Sequence, residues 1–281
     1  MHAGHHPVIV LMTDFGLSDT YVGQMKGVIL SLAPSAQIID LTHAITAQNI
    51  AQGAFLLGKS APFFPEKAIF VAVVDPGVGT SRKAIAVECG KQIFLAPDNG
   101  LLTALFQAGE VRRCIAITNE RYMLPTRSST FHGRDVFSPA AAHLASGVIL
   151  QELGPNIDPS ECTRIPLPGC QSRDNGASWN GTIICTDHFG NLVTSLDSEV
   201  LDRSKNWLVS AGKHQLPICG TYGDVADQQP LAYMGSSGMI EIAIRNGNAA
   251  QMLGLKDGDP VFMTSESPNC SCGKLHFGDA P

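Results

Sequence analysis

The sequence predicts an α/β protein in two parts: an N-terminal, mainly parallel sheet covered by helices, and then a small antiparallel β-barrel or sandwich. In residues 1–155, short apolar segments of strand length alternate with amphipathic segments of helical period. From residue 178 onward, turn residues separate short apolar segments, and few helical periods occur. The chain has 281 residues, 44% of them apolar, which is enough for two packed cores.

The elements of the N-terminal domain, residues 1–155, follow in order along the chain. The predicted strands cover residues 7–12, 37–42, 68–74, 84–89, 92–96 and 114–118. The predicted helices cover residues 18–34, 49–61 and 133–147. The first helix is indicated by apolar Val22, Met25 and Ile29, with Ser18 or Asp19 as its N-cap. Apolar strands that alternate with helices are typical of a parallel sheet buried on both faces.

A change of composition separates the two domains. Residues 156–177 are rich in proline, glycine and polar side chains, and they predict a linker. The C-terminal domain, residues 178–281, contains predicted strands at 181–187, 191–196, 206–212, 214–220, 239–245 and 259–264.

Charge and cysteine content limit the possible partners. The net charge is −6, and no block of Lys or Arg forms a basic face, so we expect no nucleic acid partner. No apolar run is long enough to cross a membrane, and the first residues do not resemble a secretory signal. The eight cysteines form no C-x-x-C pair, and Cys270 and Cys272 are too close in sequence for a good zinc site. We therefore expect reduced thiols, no metal and a cytoplasmic protein.

Acidic residues lie at or near the ends of three predicted strands: Asp14, Asp40 and Asp75. Ligands of open parallel sheets bind beyond the carboxyl ends of the strands, so these acids are candidate site residues. The alternative for each is a turn or a helix cap. Asp14 and Asp75 also begin the glycine-containing loops TDFGLSD and VDPGVGTSR, which favours a ligand site over a turn for this pair.

One apparent nucleotide-binding motif fails on its context. Residues 53–60, GAFLLGKS, match the pattern of a phosphate-binding loop. Their apolar middle is helical in character, no strand leads into Gly53, and Pro62 and Pro65 prevent a helix after Ser60. We expect no nucleoside triphosphate at this position.

Six segments occur together in a characteristic order. They are TDFGLSD, VVDPGVGTSRKAI, APDNGLLT, TFHGRDVFSPAAAHLA, DHFGNLVT and GSSGMIEIAIRNGNAA. Together they resemble the S-adenosyl-L-methionine (SAM) hydrolases, also called SAM hydroxide adenosyltransferases, which are related to the fluorinases and chlorinases. The resemblance covers roughly residues 8–264. It implies a C-terminal β-barrel, a homotrimer with sites between subunits, and hydrolysis of SAM to adenosine and L-methionine without a metal or cofactor.

The resemblance also implies roles for individual residues. The water-activating residues correspond to Asp75, Arg82 and His132. The substrate-binding residues correspond to Asp14 for the ribose hydroxyls, Asp187 and Ser236 for the methionine end, Asn191 and the backbone near Ala249 for adenine, and Tyr222 for stacking on the base. Taken alone, a histidine such as His132 is more often structural than functional.

The sequence differs from the halogenating relatives at four positions. Those relatives have a Tyr and a Thr where this chain has Asp75 and Val78, and a halide-contacting Ser in place of Gly133. They have a Trp in place of Gln48. We therefore expect no halide pocket.

The chemistry leaves the proton's destination open. Methionine leaves a sulfonium as a neutral thioether, so the reaction needs a positioned nucleophile more than an acid. We expect Asp75 and Arg82 to hold the water. A histidine has an ordinary pKa of about 6.5, so we expect His132 to take or relay the proton. Two alternative functions stay open: a chlorinase-like halogenase, and a non-catalytic sensor of SAM or adenosine.

Overall fold

A six-stranded sheet lies at the centre of the first part of the chain. The computed structural model describes residues 6–202 and 204–265, and the chain divides into two units after Leu167. The strands of the first unit are β1 (Val8–Thr13), β2 (Gln37–Thr42), β3 (Ile69–Val73), β4 (Ala84–Cys89), β5 (Gln92–Pro97) and β6 (Val111–Ala116). Their order is β2-β1-β3-β5-β4-β6. The first four are parallel, which confirms the predicted mainly parallel sheet.

One strand of this sheet, β4, runs opposite to its neighbours. β4 is antiparallel to both β5 and β6. Gly90 and Lys91 are the two residues between β4 and β5. A connection of two residues is too short to join parallel strands, so β4 and β5 must be antiparallel. Gly90 has a positive φ of 57°, which the tight turn requires.

Helices cover both faces of the sheet. They are α1 (Tyr21–Leu32), α2 (Ile50–Ser60), α3 (Thr103–Ala108) and α4 (Ser138–Ala145). Ile9 and Leu11 of β1 pack in one apolar cluster with residues of α1 and α4. Val10 and Met12 pack in a second cluster with residues of α2 and α3. Successive side chains of a strand point to opposite faces, so the uninterrupted apolar strands serve two cores.

Two helical starts differ from the prediction. α1 begins at Tyr21 with Thr20 as its N-cap and without a side-chain cap hydrogen bond, so the predicted cap at Ser18 or Asp19 is wrong. Burial of Val22 fixes this start, because residues 18–20 are exposed. The predicted helix at 133–147 begins with a π-helical turn, Gly133–Phe137, that continues into α4. Wide turns of this kind are frequent at functional sites.

The second unit is a closed β-barrel. Its strands are β7 (Gln171–Arg173), β8 (Ser178–Thr186), β9 (Leu192–Asp197), β10 (Trp207–Ala211), β11 (His214–Cys219), β12 (Pro230–Met234), β13 (Met239–Ile244) and β14 (Pro260–Ser265). The order β14-β10-β11-β12-β13-β9-β8 closes because β14 also pairs with β8, and β7 adds to β8. All pairs are antiparallel except β11 and β12. This confirms the barrel that the resemblance implies.

The barrel contains elements that the sequence pattern did not predict. β12 begins at Pro230. Proline cannot donate a backbone hydrogen bond to a neighbouring strand, but the first position of a strand tolerates this loss. The helix α5 (Ala249–Leu253) is too short to show a helical period. Short 3-10 helices lie in the second unit at Asp174–Gly176, Ser198–Val200 and Tyr222–Asp224, and in the first unit at Ala61–Phe63, Glu120–Tyr122, Leu150–Leu153 and Pro159–Glu161.

The predicted linker contributes to both units. The backbone N–H of Thr163 donates to Asp98 Oδ1 at 2.7 Å, and Cys162 is buried beside Cys114, with 3.5 Å between the sulfurs. Farther on, Gln171–Arg173 forms β7. Cys270 and Cys272 lie outside the described residues. Among the described residues, no helix has the length and apolarity that crossing a membrane requires.

A close backbone contact joins the loop after β3 to the segment before the π-helical turn. Gly79 has a positive φ of 79°, and a Cβ there would lie 2.5 Å from the carbonyl oxygen of Ser129. At Gly77, in the same loop, a Cβ would meet only ordinary contacts, 3.6 Å from the Arg82 and Thr80 side chains. The contact therefore needs glycine at position 79 and not at 77.

We expect Gly79→Ala to lower the free energy of unfolding by about 1–3 kcal/mol, because it combines a strained φ with a backbone clash. Gly77→Ala is the matched control and should stay within about 0.5 kcal/mol of the wild type. Denaturant unfolding of both variants measures the difference. Equal stabilities would show that the loop does not depend on this contact.

Candidate active site

Two acidic residues lie at the same edge of the N-terminal sheet. Asp14 follows β1 and Asp75 follows β3, and these strands are parallel neighbours in which Thr13 pairs with Val73. Both acids line one cleft of about 320 Å³, together with Phe15, Tyr21, Ala47, Gln48 and Pro76. The structure therefore brings together the two acids that the sequence singled out. Asp40 lies apart from this cleft and binds Lys26 at 2.6 Å.

Asp14 is held by backbone groups of the surrounding loops. Its Oδ2 accepts a hydrogen bond of 2.8 Å from the backbone N–H of Gln48, a residue with a positive φ of 65°. His43 holds the loop that follows β1. Its carbonyl accepts from Gly16 N at 2.8 Å, and its Nδ1 lies 2.8 Å from Thr13 Oγ1. No described residue donates to Asp14 Oδ1, so that oxygen is available to a ligand.

Asp75, Arg82 and His132 form one hydrogen-bonded cluster. Arg82 Nε donates to Asp75 Oδ1 at 3.0 Å, and an Arg82 terminal nitrogen donates to Asp75 Oδ2. The same terminal nitrogen lies 2.8 Å from His132 Nδ1. The side chains of Asp75 and Arg82 are only 4% and 9% exposed, so this ion pair is shielded from water. The three predicted water-activating residues are therefore joined through Arg82.

The fold positions this cluster from three directions. The Asn99 amide donates to the carbonyl of Val74 at 2.8 Å, which fixes the end of β3 just before Asp75. The ring of Phe137, in the π-helical turn, lies 5.6 Å from the Arg82 guanidinium carbon. The buried Asp135 accepts from Ser128 N at 2.7 Å and so holds the segment that leads to His132. A cation on an aromatic face is favourable, and more so away from water.

His132 is neutral and presents a donor. Burial lowers the pKa of its imidazole, the positive charge of Arg82 lowers it further, and Asp75 and Asp135 oppose the shift in part. A guanidinium can only donate, so Nδ1 must accept from Arg82. The hydrogen of the neutral ring is then on Nε2.

Two cavities meet the cluster. Asp75 lines the 320 Å³ cleft, whereas Arg82 and His132 line a second cavity of about 530 Å³ that Lys83, Arg127 and Ser129 also border. Each oxygen of Asp75 retains acceptor capacity beyond its bond to Arg82. Asp75 is thus the member of the cluster that can accept a proton on the side of the cleft.

A second polar cluster lies in the loop between β8 and β9. Asp187 Oδ1 accepts from the backbone N–H of Phe189 at 2.9 Å and of Asn191 at 2.8 Å, and its Oδ2 accepts from Asn191 Nδ2 at 2.9 Å. Asn191 Nδ2 also donates to the Tyr222 hydroxyl at 3.2 Å. The structure therefore joins three of the predicted binding residues of the second unit.

Ser236 and Ala249 take different positions. Ser236 is exposed in the turn between β12 and β13, and Ala249 is the buried first residue of α5. The backbone N–H of Ala250 donates to the carbonyl of Gly190 at 3.0 Å, which ties α5 to the loop of Asn191. No contact between Ser236 and the other predicted residues is observed among the described residues.

The structure adds residues that sequence patterns did not identify. Tyr233 donates to the carboxylate of buried Glu241, and Tyr222 donates to Tyr233 at 2.6 Å. Burial raises the pKa of Glu241, an effect that the hydrogen bond from Tyr233 partly offsets. A single acidic residue within the apolar β13 segment MIEIAI was the available signal. In the first unit, Tyr21 lines the cleft, whereas its sequence pattern indicates only a helical position.

The described residues contain no group of three or more His, Cys, Asp or Glu side chains that could hold a metal ion. The fold and the site define an α/β protein with a cleft at the carboxyl edge of its sheet, followed along the chain by a β-barrel. The chain belongs to the SAM hydroxide adenosyltransferase family. The family model of the N-terminal domain matches residues 9–154, and that of the C-terminal domain matches residues 181–262.

Individual relatives cover nearly the whole chain. The (R)-S-adenosyl-L-methionine hydrolase of Thermus thermophilus is 38% identical over 90% of this chain and 98% of its own length. A fluorinase of an Actinoplanes species is 28% identical, covering 94% of this chain and 99% of its own. A crystal structure from Thermotoga maritima superposes with a TM-score of 0.83 at 34% identity, covering 91% of this chain and 99% of its own.

We expect His132 to titrate below about pH 6.5, and to be neutral with its hydrogen on Nε2 at pH 7. Replacing Arg82 by Gln removes a positive charge that lowers the pKa of His132, so its pKa should rise in this variant. Nuclear magnetic resonance of histidine-labelled protein reports both the pKa and the tautomer. A wild-type pKa above 6.5, or a hydrogen on Nδ1, would contradict the arrangement described above.

Proposed function

We propose that this protein hydrolyses SAM to adenosine and L-methionine. The observation that carries the proposal is the buried Asp75–Arg82–His132 cluster beside a cleft that Asp14 also lines. Relatives at 36–38% identity are named (R)-S-adenosyl-L-methionine hydrolases, which supports the same reaction here. The activity needs no metal or further cofactor in this scheme, and SAM is the substrate.

In the proposed reaction, a water oxygen attacks the 5′ carbon of the ribose. The bond from that carbon to sulfur breaks, and both of its electrons go to sulfur, which leaves as the neutral thioether of methionine. The water loses one proton, which Asp75 accepts and then releases to solvent. Holding the water in line with the breaking bond can lower the barrier by up to about 7–11 kcal/mol.

The roles of Arg82 and His132 follow from their hydrogen bonds. Arg82 fixes both oxygens of Asp75, so the carboxylate has one orientation toward the cleft. His132 accepts from Arg82 and keeps it against Asp75. His132 takes up a proton only when the Arg82 bond to Nδ1 is released, so a relay through His132 would follow proton transfer to Asp75.

The remaining predicted residues would hold the substrate. Asp14 has a carboxylate oxygen available, and a carboxylate that accepts from ribose hydroxyls forms charge-assisted hydrogen bonds of about 1.5–3 kcal/mol each. In this proposal Asp187 and Ser236 bind the methionine end. Asn191, the backbone at Ala249 and the ring of Tyr222 bind adenine.

Two further elements of the proposal come from the family resemblance. We propose a cytoplasmic homotrimer with the active sites at the interfaces between subunits. SAM, adenosine and L-methionine are the expected small-molecule partners, and we expect neither nucleic acid nor a membrane as a partner.

The halogenase alternative is not favoured by the surroundings of Gly133. A Cβ at this position would lie 3.3 Å from Met25 Sδ and from Phe15, and 3.4 Å from Phe131. A serine there, as in the halogenating relatives, would require these side chains to move. Glycine at position 133 supplies no hydroxyl, and the side chains packed around it leave little space for one.

Incubation of the pure protein with SAM tests the proposed function directly. We expect liquid chromatography to detect adenosine and methionine in equal amounts, at a rate that chloride does not change. Formation of 5′-chloroadenosine in chloride would support the halogenase instead. Binding of SAM without turnover would support the sensor.

We expect Asp75→Asn to lower turnover by about two to four orders of magnitude, because an amide cannot accept the proton and presents donors to Arg82 and the water. Asp98→Asn is the matched control. Asp98 follows β5 at the same edge of the sheet but accepts from Thr163 N and does not line the cleft. Adenosine release and a melting curve for both variants make the comparison, and near-normal turnover of a folded Asp75→Asn protein would make Asp75 a turn residue.

A further inference from the structure

A chain of side-chain hydrogen bonds crosses the second unit from Asn191 to Glu241. Asn191 Nδ2 donates to the Tyr222 hydroxyl at 3.2 Å, the Tyr222 hydroxyl donates to that of Tyr233 at 2.6 Å, and Tyr233 donates to the Glu241 carboxylate. Asn191 and Glu241 are 5% and 8% exposed, so both ends of the chain are buried. Tyr233 and Glu241 have no role in the proposed reaction or in the proposed contacts with the substrate.

The two ends of this chain fix its direction. An ionised carboxylate only accepts, so Tyr233 must donate to Glu241. The single hydrogen of Tyr233 is then committed, and Tyr233 can only accept from Tyr222. The hydrogen of Tyr222 is committed in turn, so toward Asn191 the Tyr222 oxygen acts as an acceptor.

Asn191 is therefore held in one of its two amide orientations. One hydrogen of its NH₂ group goes to Tyr222, and the other goes to Asp187 Oδ2 at 2.9 Å. The reversed amide would place Oδ1 against a carboxylate and against a hydroxyl oxygen whose hydrogen is already used. No described residue donates to Oδ1, which leaves this carbonyl oxygen as the group that Asn191 offers to a ligand.

We propose that Glu241 and Tyr233 are positioning residues that determine which purine the site accepts. Through Tyr222 they hold the Asn191 amide in the orientation that presents Oδ1, an acceptor, to the ligand. This inference rests on the proposed function, in which Asn191 faces the base. A 6-aminopurine has an exocyclic N–H that an acceptor can bind, whereas a 6-oxopurine has a carbonyl oxygen that an acceptor repels. The site should thus select adenosine and SAM over their 6-oxo counterparts.

The carboxylate at the end of the chain has little freedom to move. A Cβ at Gly235 would overlap the Glu241 side chain, so the two residues are in tight contact. Gly235 also donates its backbone N–H to the carbonyl of Met239 at 2.8 Å. The turn between β12 and β13 therefore fixes Glu241 by packing as well as by its hydrogen bond.

Calorimetric titration with adenosine and with inosine tests this inference, using the wild type and Tyr233→Phe. The variant loses one hydroxyl and leaves the hydrogen of Tyr222 free to turn toward Asn191. We expect the wild type to bind adenosine about tenfold tighter than inosine or better. In Tyr233→Phe the ratio of the two dissociation constants should narrow by about 2- to 12-fold, mainly because adenosine binds less tightly.

Two further variants keep the test decisive. Tyr122→Phe is the matched control, because the Tyr122 hydroxyl also bonds a glutamate, Glu152, but in the first unit; its ratio should equal that of the wild type. If Tyr233→Phe does not fold, Glu241→Gln takes its place, because a glutamine amide can donate to Tyr233 and reverse the chain. The ratio should narrow in that variant too.

The outcomes separate this inference from the proposed function. If the variant weakens both nucleosides equally, Tyr233 has only a structural role and the inference is overturned while the proposed function stands. If the wild type binds neither nucleoside nor SAM, the proposed function fails and this inference fails with it. A ratio that narrows in the variant supports both.

Discussion

The guanidinium of Arg82 is the group on which the site depends. It binds both oxygens of Asp75 after β3, donates to His132 at the start of the π-helical turn, and rests against Phe137. Removing one partner of a buried charge pair costs about 3–5 kcal/mol, because the other charge stays unpaired. One side chain, Arg82, therefore sets the orientation of Asp75, neutralises its charge and determines the tautomer of His132.

This arrangement produces a site whose charge suits a cationic substrate. Arg82 is neutralised by Asp75, and His132 is neutral because burial and Arg82 lower its pKa. Asp14 then adds a negative charge at the cleft. In the cleft, whose described lining includes no Lys or Arg, a sulfonium compound would meet two carboxylates. The barrel presents a different kind of surface, in which the hydrogen-bond direction at Asn191 supplies selectivity.

Much of the fold follows from local patterns, and the site follows only in part. Apolar strands such as residues 68–74 had to be buried on both faces, and parallel neighbours had to bring Asp14 and Asp75 to one edge. Patterns could not reveal which nitrogen of His132 faces Arg82, because that depends on a contact between residues 50 positions apart. Glu241 was hidden for the same reason: its partners lie on other strands. α1 starts at Tyr21 and not after a cap at Ser18 or Asp19, because burial of Val22 outweighs the contribution of a side-chain cap.

The central claim is that Arg82 and His132 act with Asp75 as one unit, and a double-mutant cycle tests it most directly. Turnover of SAM would be measured for Arg82→Gln, His132→Gln and the double variant, each checked for folding. Residues that act as a unit are strongly non-additive. The account predicts that the double variant is about as slow as the slower single variant. A loss equal to the product of the two single losses would show that the residues act independently, and would contradict it.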